Sequence, residues 1–132
     1  MRTEDYITEK IIKACINVHK ALGPGLLESI YEKALSVELF ECGLDIKTQV
    51  EIPVIYKNKP IGVGFRADVI VENTIILELK SVEKITSLHW KQLLTYLKLT
   101  GMPIGLLLNF NVPIFKDGIK RIINTSPSVY SV

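Results

Sequence analysis

Three charged residues near the middle of the chain have the types and spacing needed for metal-assisted chemistry. Asp68 lies in one strand-like segment, and Glu78 and Lys80 lie two residues apart in the next. Carboxylate oxygens are the ligands that hard cations such as Mg²⁺ prefer, and phosphodiester hydrolysis needs a metal that activates water and stabilises charge. If the fold gathers these side chains, they are suited to that reaction.

The apolar pattern of the two segments indicates that the fold does gather them. Alternate residues define one apolar face: Val69, Val71, Ile75, Leu77 and Leu79. This face is continuous only if Val71 pairs with Ile75, because a slip of one residue would turn one apolar set to the wrong side. In that register Asp68 lies opposite Glu78, and Lys80 follows on the same face.

A second interpretation stays open, in which Glu78 and Lys80 sit on the solvated face of an edge strand. Ile70 and Ile76 share that face with the charges, so the face is not simply polar. Helices before and after the strands could cover it, and a charge under a helix needs a purpose or a partner.

The elements that must position these residues follow from periodicity and turn signals. Two helices come first, followed by three strands, a helix and one or two strands: Asp5–Leu22, Leu27–Glu41, Ile46–Tyr56, Ile61–Val71, Thr74–Val82, Thr86 or Ser87 to Leu99, Ile104–Phe110 and Ile119–Ile123. Glycine and proline end the helices, and Lys57-Asn58-Lys59-Pro60 and Glu72-Asn73 separate the strands. The order ααβββαβ(β) predicts an α/β sandwich with a mixed sheet, flanking helices and an antiparallel three-strand meander.

The helix periods also predict which side chains are buried. In the first helix these are Ile7, Ile11, Ala14, Cys15, Val18 and Leu22, and in the second Ile30, Ala34, Leu35 and Val37. Cys15 and Cys42 lie in or beside these helices without metal-type spacing, so we expect two reduced, buried cysteines.

Further polar residues fall on helices near the acidic pair. His89, Gln92 and Tyr96 share one side of the third helix, at steps of three and four residues, and Glu28 and Tyr31 lie one turn apart at the start of the second. Each set has a structural alternative, an exposed polar face for the first and stabilisation of a helix start for Glu28. Trp90 is expected to pack in the core.

Length and composition set the wider frame. The 132 residues, 48% of them apolar, suit one domain over 1–132, with an N-terminal helix within 1–24 and a loose tail at 125–132. No run approaches a membrane span and no signal peptide is visible, so a cytoplasmic protein is expected. The net charge is only +2, so composition does not itself announce a nucleic-acid binder.

Taken together, the residues resemble the GxxExxY proteins of the PD-(D/E)XK nuclease superfamily. The matching positions occur in order on the expected elements: Gly25-x-x-Glu28-x-x-Tyr31, Asp68, Glu78-x-Lys80 and Gln92-x-x-x-Tyr96. The resemblance covers roughly Ile7 to Ile123, and Ala67 stands where the superfamily often has proline. It implies a restriction-endonuclease-like core of helix, meander, helix and strand.

The resemblance also implies roles for individual residues. Asp68 and Glu78 would bind Mg²⁺ or Mn²⁺, with Glu28 as a further carboxylate, and Lys80 would orient or help activate the attacking water. Gln92 and Tyr96 would support the site and the substrate strand.

Two functions follow from these roles as expectations. The first is a Mg²⁺-dependent nuclease acting on nucleic acid, most readily DNA. The alternative is a catalytically silent nuclease-like module that binds nucleic acid or protein. A homodimer or a helicase partner stays open as a third arrangement, because the domain has no motor of its own.

Overall fold

The computed structural model describes residues 3–124, so the tail predicted at 125–132 lies outside the described residues. The elements are α1 Thr3–Leu22, α2 Glu28–Glu41, β1 Ile46–Tyr56, β2 Lys59–Val71, β3 Ile75–Lys80, α3 Ser87–Thr100, β4 Ile104–Asn109, a short 3₁₀ helix at Phe115–Gly118, and β5 Ile119–Ile123. The predicted order is confirmed, including the last strand. Strand β3 is shorter at both ends than its predicted range, Thr74–Val82.

The five strands form one mixed sheet in the order β1-β2-β3-β4-β5. Strands β1, β2 and β3 form the predicted antiparallel meander, and Val71 pairs with Ile75 as the apolar pattern required. Strand β4 runs parallel to β3, which needs a crossover connection, and α3 supplies it. Strand β5 returns antiparallel along β4.

The sheet separates two apolar cores. On one face α1 and α2 pack over the alternate apolar residues of β2, β3 and β4: Val69, Val71, Ile75, Leu77, Leu79, Leu106 and Leu108. On the other face α3 packs through Leu93 and Leu97 against Ile70 and Ile76. Gly105 permits this close approach, because a Cβ there would lie 2.8 Å from Cγ of Leu93.

The predicted burial is wrong at four positions. Leu22, Ile30, Val37 and Cys42 are all exposed, whereas α2 buries Tyr31, Leu35 and Leu39. Leu22 is the last residue of α1, where the helix leaves the core. Helix α2 carries apolar residues on most of its circumference, so the period does not show which face meets the sheet.

Tyr31 holds the connection between α1 and α2. Gly23 and Gly25 have φ of 73° and 96° there, in the left-handed region that glycine tolerates best. The Tyr31 hydroxyl donates to the Gly23 carbonyl at 2.5 Å and accepts from the Leu26 N–H at 3.1 Å. Its ring is fully buried and stacks on Phe110 with centroids 4.5 Å apart. The tyrosine therefore fixes the turn that leads into Glu28.

Helix α3 has a defined cap at each end. The Thr86 side chain accepts from the His89 N–H, and the His89 ring nitrogen Nδ1 accepts from the Thr86 N–H, which together make a capping box. Gly101 ends the helix with φ 75°. His89, predicted on a polar helix face, thus acts here as a helix cap. Among residues 3–124, no helix has both the length and the apolar character to cross a membrane.

We predict that Tyr31→Phe lowers the free energy of unfolding by about 1–3 kcal/mol, because it leaves the Gly23 carbonyl and the Leu26 N–H unpaired while the ring stack remains. Urea denaturation measures the change. Tyr6→Phe removes a hydroxyl from an exposed ring and is the matched control, for which we expect a change within about 0.5 kcal/mol. Equal stabilities of the two variants would contradict the role given to Tyr31.

Candidate active site at the end of the central strands

The carboxylates of Asp68 and Glu78, which were predicted to lie opposite each other, accept the hydrogen bonds that join β2 and β3 at this point. The regular register is Val71 with Ile75, Ile70 with Ile76 and Val69 with Leu77. Beyond it, the Asp68 N–H donates to Oε2 of Glu78 at 3.0 Å, and the Leu79 N–H donates to Oδ2 of Asp68 at 2.9 Å. Each carboxylate thus accepts a backbone N–H of the neighbouring strand, and the two acidic groups converge.

The backbone is also irregular on the other side of Asp68. Thr48 and Val50 of β1 pair regularly with β2, but Gln49 between them has φ 52°. A non-glycine residue held in this region costs about 1–3 kcal/mol. The Gln49 amide donates to Oε1 of Glu32 on α2 at 2.6 Å, which offsets part of that cost. Strand β2 therefore has irregular neighbours on both sides at Asp68.

Burial and mutual repulsion act on the acidic pair. Desolvation, followed by the negative charge of Asp68, raises the pKa of Glu78 from 4.5 to about 8. Desolvation also raises the pKa of Asp68, and the charge of Glu28 adds to the rise. Lys80 lowers both pKa values, which places its ammonium within electrostatic reach of both carboxylates. The three residues singled out from the sequence therefore act on one another.

The interpretation of Glu78 and Lys80 as solvated residues of an edge strand is wrong. Strand β3 is the central strand of the sheet, and Glu78 is only 9% exposed. Helix α3 covers the apolar part of this face, as the shared face of Ile70 and Ile76 indicated. A charge this deeply buried needs a partner or a function.

Asn109 fixes the chain that follows Lys80. It pairs with Lys80 across β3 and β4, and its side chain both accepts from the Val82 N–H at 3.1 Å and donates to the Val82 carbonyl at 2.9 Å. The Phe110 N–H donates to the Lys80 carbonyl at 2.9 Å. Asn109 was not predicted from the sequence, although an amide directly after the apolar run Ile104 to Leu108 could have indicated a polar role at the end of that strand.

Glu28 reaches the same end of the sheet from α2. Its carboxylate accepts the Ser81 N–H at 3.2 Å, and the Ser81 hydroxyl donates to the Leu26 carbonyl at 2.6 Å. The negative charge of Glu28 raises the pKa of Asp68. The structure thus places Glu28 beside the acidic pair while giving it a backbone partner.

A cavity of about 440 Å³ opens from Asp68 toward α2, lined by Glu28, Ser29, Glu32, Gln49 and Asp68. Glu32 and Gln49 were not singled out from the sequence. Desolvation raises the pKa of Glu32, and its hydrogen bond from Gln49 opposes that rise. Glu32 follows Glu28 by four residues on one helix face, and this spacing could have indicated it.

The two candidates on α3 have different surroundings. The Tyr96 ring stacks on Phe65 with centroids 3.6 Å apart and an interplanar angle of 6°. Desolvation, followed by the charges of Glu78 and Asp68, raises the pKa of Tyr96, so this phenol lies near the acidic pair. Gln92 is exposed, and its side chain makes no hydrogen bond within residues 3–124. Trp90 packs against the core under α3, as expected.

The donor set at Asp68 and Glu78 fits a hard divalent cation. Mg²⁺ is usually held by one or two carboxylates and keeps several waters, so two converging carboxylates suffice. Over the described part of the chain, no three His, Cys, Asp or Glu side chains form a group that could hold a metal ion, so Glu28 does not complete such a group with Asp68 and Glu78. Burial is the first cause of the raised pKa values of the pair, and a neighbouring negative charge, Asp68 for Glu78 and Glu28 for Asp68, adds to each rise.

Comparisons with known proteins agree with this arrangement. A family model described as the PD-(D/E)XK nuclease superfamily matches residues 5–122. The match runs from α1 into β5 and includes every residue placed at the site above. No curated protein and no solved structure gives a significant match.

We predict that the metal-free protein loses stability as the pH rises from 4.5 toward 8, the interval between the ordinary pKa of Glu78 and its raised value. There the folded protein keeps a proton that the unfolded chain has released. Each pH unit therefore costs up to about 1.4 kcal/mol for one such proton. Denaturation in EDTA at a series of pH values measures this slope.

Glu78→Gln keeps an oxygen that can accept from the Asp68 N–H and removes the titration, so it should flatten the slope. Glu51→Gln, at an exposed position of β1, is the control and should leave the slope unchanged. If Glu78→Gln and the parent protein show the same pH dependence, the assignment of the proton to Glu78 is wrong.

Proposed function

The chain belongs to the PD-(D/E)XK nuclease superfamily, and on that premise we propose that it is a nuclease that uses Mg²⁺ or Mn²⁺ to hydrolyse phosphodiester bonds of DNA. The observation that carries the proposal is the exchange of hydrogen bonds between Asp68 and Glu78. It brings two partly desolvated carboxylates together within reach of Lys80. Burying two acidic groups side by side is unfavourable, which favours a function for the pair over a purely structural role.

Asp68 and Glu78 are the residues that would hold the metal. A bound divalent ion supplies Lewis-acid chemistry, since it lowers the pKa of water and neutralises charge that develops on the phosphate. Once both carboxylates are ionised, they and the Lys80 ammonium carry a net charge of about −1, and Glu28 adds another negative charge, so a divalent cation that displaces the Glu78 proton would balance the site.

Lys80 is proposed to orient the attacking water and to stabilise negative charge. Its strand position suits this role, because Lys80 follows Glu78 on the same face and is half-buried. The Phe110 N–H and the paired contacts of Asn109 hold the backbone on both sides of it. A fixed backbone limits where the ammonium can reach, and such positioning is a large part of catalysis.

We also propose that the chain is a GxxExxY protein within the superfamily. The three residues of that pattern have related roles here: Gly25 adopts a left-handed turn, Glu28 binds the chain after β3, and Tyr31 pins the turn. Tyr96 would support the acidic pair, and Gln92, whose side chain is exposed, would contact the substrate strand.

A cleavage assay tests the proposed function. Purified protein with Mg²⁺ or Mn²⁺ is incubated with single-stranded, duplex and branched DNA and with RNA, and cleavage of DNA that stops in EDTA is the expected result. If every substrate stays intact, the nuclease proposal is wrong. Binding of nucleic acid without cleavage would favour the catalytically silent nuclease-like module. The homodimer and the helicase partner stay predictions.

We predict that Asp68→Asn abolishes Mg²⁺ binding in calorimetry without destabilising the metal-free protein. Asparagine keeps an oxygen for the Leu79 N–H, and losing one of two adjacent charges relieves repulsion, so the melting temperature in EDTA at pH 8 should rise. Asp117→Asn, at an exposed position, is the control. A loss of several kcal/mol in the metal-free Asp68→Asn protein would instead identify Asp68 as an ion-pair partner.

We predict that Lys80→Ala keeps metal binding but lowers the cleavage rate by about 10²-fold or more, the usual scale for a positioned proton-handling group. Lys80→Arg should not restore the rate, because guanidinium is bulkier and stays protonated. Single-turnover cleavage measures the rate, and Lys84→Ala, at an exposed position nearby, is the control. Cleavage by Lys80→Ala at the parent rate would show that the lysine has no part in the reaction.

A further inference from the structure

Strands β1 and β2 continue beyond the rest of the sheet as a two-stranded ribbon, residues 53–64. The last positions that pack on α3 are Ile52, which is buried in the core under that helix, and Phe65, which stacks on Tyr96. Beyond them only Val54 and Ile55 are half-buried, and the other ten ribbon residues are exposed. Six residues per strand at about 3.3 Å each carry the tip roughly 20 Å past the helix.

The ribbon is a hairpin with a tight turn, and its strand pairing has two register shifts, between Ile52 and Pro53 and between Val54 and Ile55. Lys57 and Asn58 form its turn with φ of 49° and 63°, the left-handed pair that matches the twist of two strands joined by a tight turn. Gly64 lies directly against Val54, because a Cβ there would be 2.1 Å from Cγ2 of that valine. Isolated hairpins are only marginally stable in water. A partner that covers the ribbon would therefore stabilise it.

The ribbon projects from the end of the sheet that carries the candidate active site. Strand β2 runs from the ribbon through Asp68 to Val71, and β3 runs back from Ile75 to Lys80. Lys80 and the base of the ribbon therefore lie at the same end. A long partner bound at the acidic pair can reach the ribbon as well.

The chemistry of the ribbon favours a polyanion. Its sequence, PVIYKNKPIGVG, contains Lys57 and Lys59 and no acidic residue. Arg66, just beyond the ribbon, lies opposite Glu51 on β1, so its charge is offset by a neighbour. Tyr56, Ile61 and Val63 expose 60%, 62% and 57% of their surface beside the lysines. Sugar and base edges offer apolar contacts of this kind, and phosphates offer the charge.

The exposure of both ribbon faces decides between a duplex and a flat partner. The pairs Pro53–Val63 and Tyr56–Lys59 lie on opposite faces of the ribbon, because Pro53 and Tyr56 are three residues apart on β1, and all four residues are exposed, so both faces are open. A flat surface or a single strand would cover one face. The major groove of a duplex, about 12 Å wide, admits a two-stranded ribbon and encloses both.

We propose that the ribbon lies in the groove of a double-stranded nucleic acid, with Lys57 and Lys59 on phosphates, and that it selects duplex substrate for the acidic pair. The selection of substrate rests on the proposed nuclease function, whereas binding by the ribbon is measurable without it. The ribbon would act as a binding arm and would take no part in the chemical step.

The test uses the double variant Lys57→Asn and Lys59→Gln, which removes both charges and keeps a residue that tolerates the left-handed turn. The matched control is Lys13→Gln with Lys20→Gln, two exposed lysines on α1. Fluorescence anisotropy in EDTA measures binding of a labelled 30-base-pair duplex (about three helical turns) and of the corresponding single strand at several salt concentrations. Melting curves check that each variant is folded.

We expect the ribbon variant to bind duplex more weakly than the parent protein by about tenfold or more. The slope of log affinity against log salt concentration should also become smaller by about 2, because each of the two lysines no longer neutralises a phosphate. The control should keep parent duplex affinity, and single-strand affinity should change little in either variant. The proposal is overturned if the ribbon variant binds duplex with the parent affinity, or if it loses affinity for single strands as much as for duplex. The proposal is also overturned if gel filtration shows a dimer for the parent protein and a monomer for the ribbon variant, because a second copy of the chain would then be the partner of the ribbon.

Cleavage separates this proposal from the proposed function. A ribbon variant that still cuts short single strands but loses duplex cleavage supports both. A parent protein that binds duplex through the two lysines and cuts nothing supports the ribbon as a binding arm and removes the nuclease proposal.

Discussion

The structure around the acidic pair depends on two carboxylates that replace backbone groups as hydrogen-bond acceptors. Within a regular sheet, strand N–H groups donate to backbone carbonyls of a neighbouring strand. Here the side chains of Glu78 and Asp68 accept the N–H groups of Asp68 and Leu79 at 3.0 and 2.9 Å. Both donors are satisfied, so the sheet loses little by the irregularity. The unfavourable part is the repulsion between the two carboxylates when both are ionised, which the proposed divalent cation would relieve.

The remaining contacts of the site hold backbone around this pair. Asn109 secures Val82, and Glu28 secures Ser81, so the chain that leaves β3 is fixed from β4 and from α2 at once. Tyr31 in turn fixes the turn before Glu28. Buried polar groups are costly unless they are paired, and here most of the pairing is between a side chain and the backbone. Among residues 3–124, the side chain of Lys80 makes no such hydrogen bond to the backbone.

Much of the fold was predictable from the sequence because the strands alternate strictly around Val69 to Leu79, and one register alone buries both apolar sets. The same parity brought Asp68, Glu78 and Lys80 together. Helix α2 was less predictable, because its apolar residues do not favour one face, and Ile30 and Val37 were assigned to the core although they are exposed. Gln49 escaped because its place depends on a single left-handed backbone angle, whereas for Glu32 and Asn109 the sequence shows a suggestive position but not the tertiary contacts that give it meaning. No periodic pattern records such contacts.

The contacts of the site differ greatly in how far apart their partners lie along the chain, and this implies an order of assembly during folding. Asp68 and Glu78 are ten residues apart within one hairpin, whose closure costs little chain entropy. Glu28 and Ser81 are 53 residues apart, and the parallel pairing of β3 with β4 must wait for the whole of α3. Local hairpins form in microseconds, whereas such distant pairings are slower. A hairpin that forms first would carry two converging carboxylates before the rest of the sheet closes around them, so a divalent ion of the kind proposed here would act on the rate of folding as well as on the folded protein.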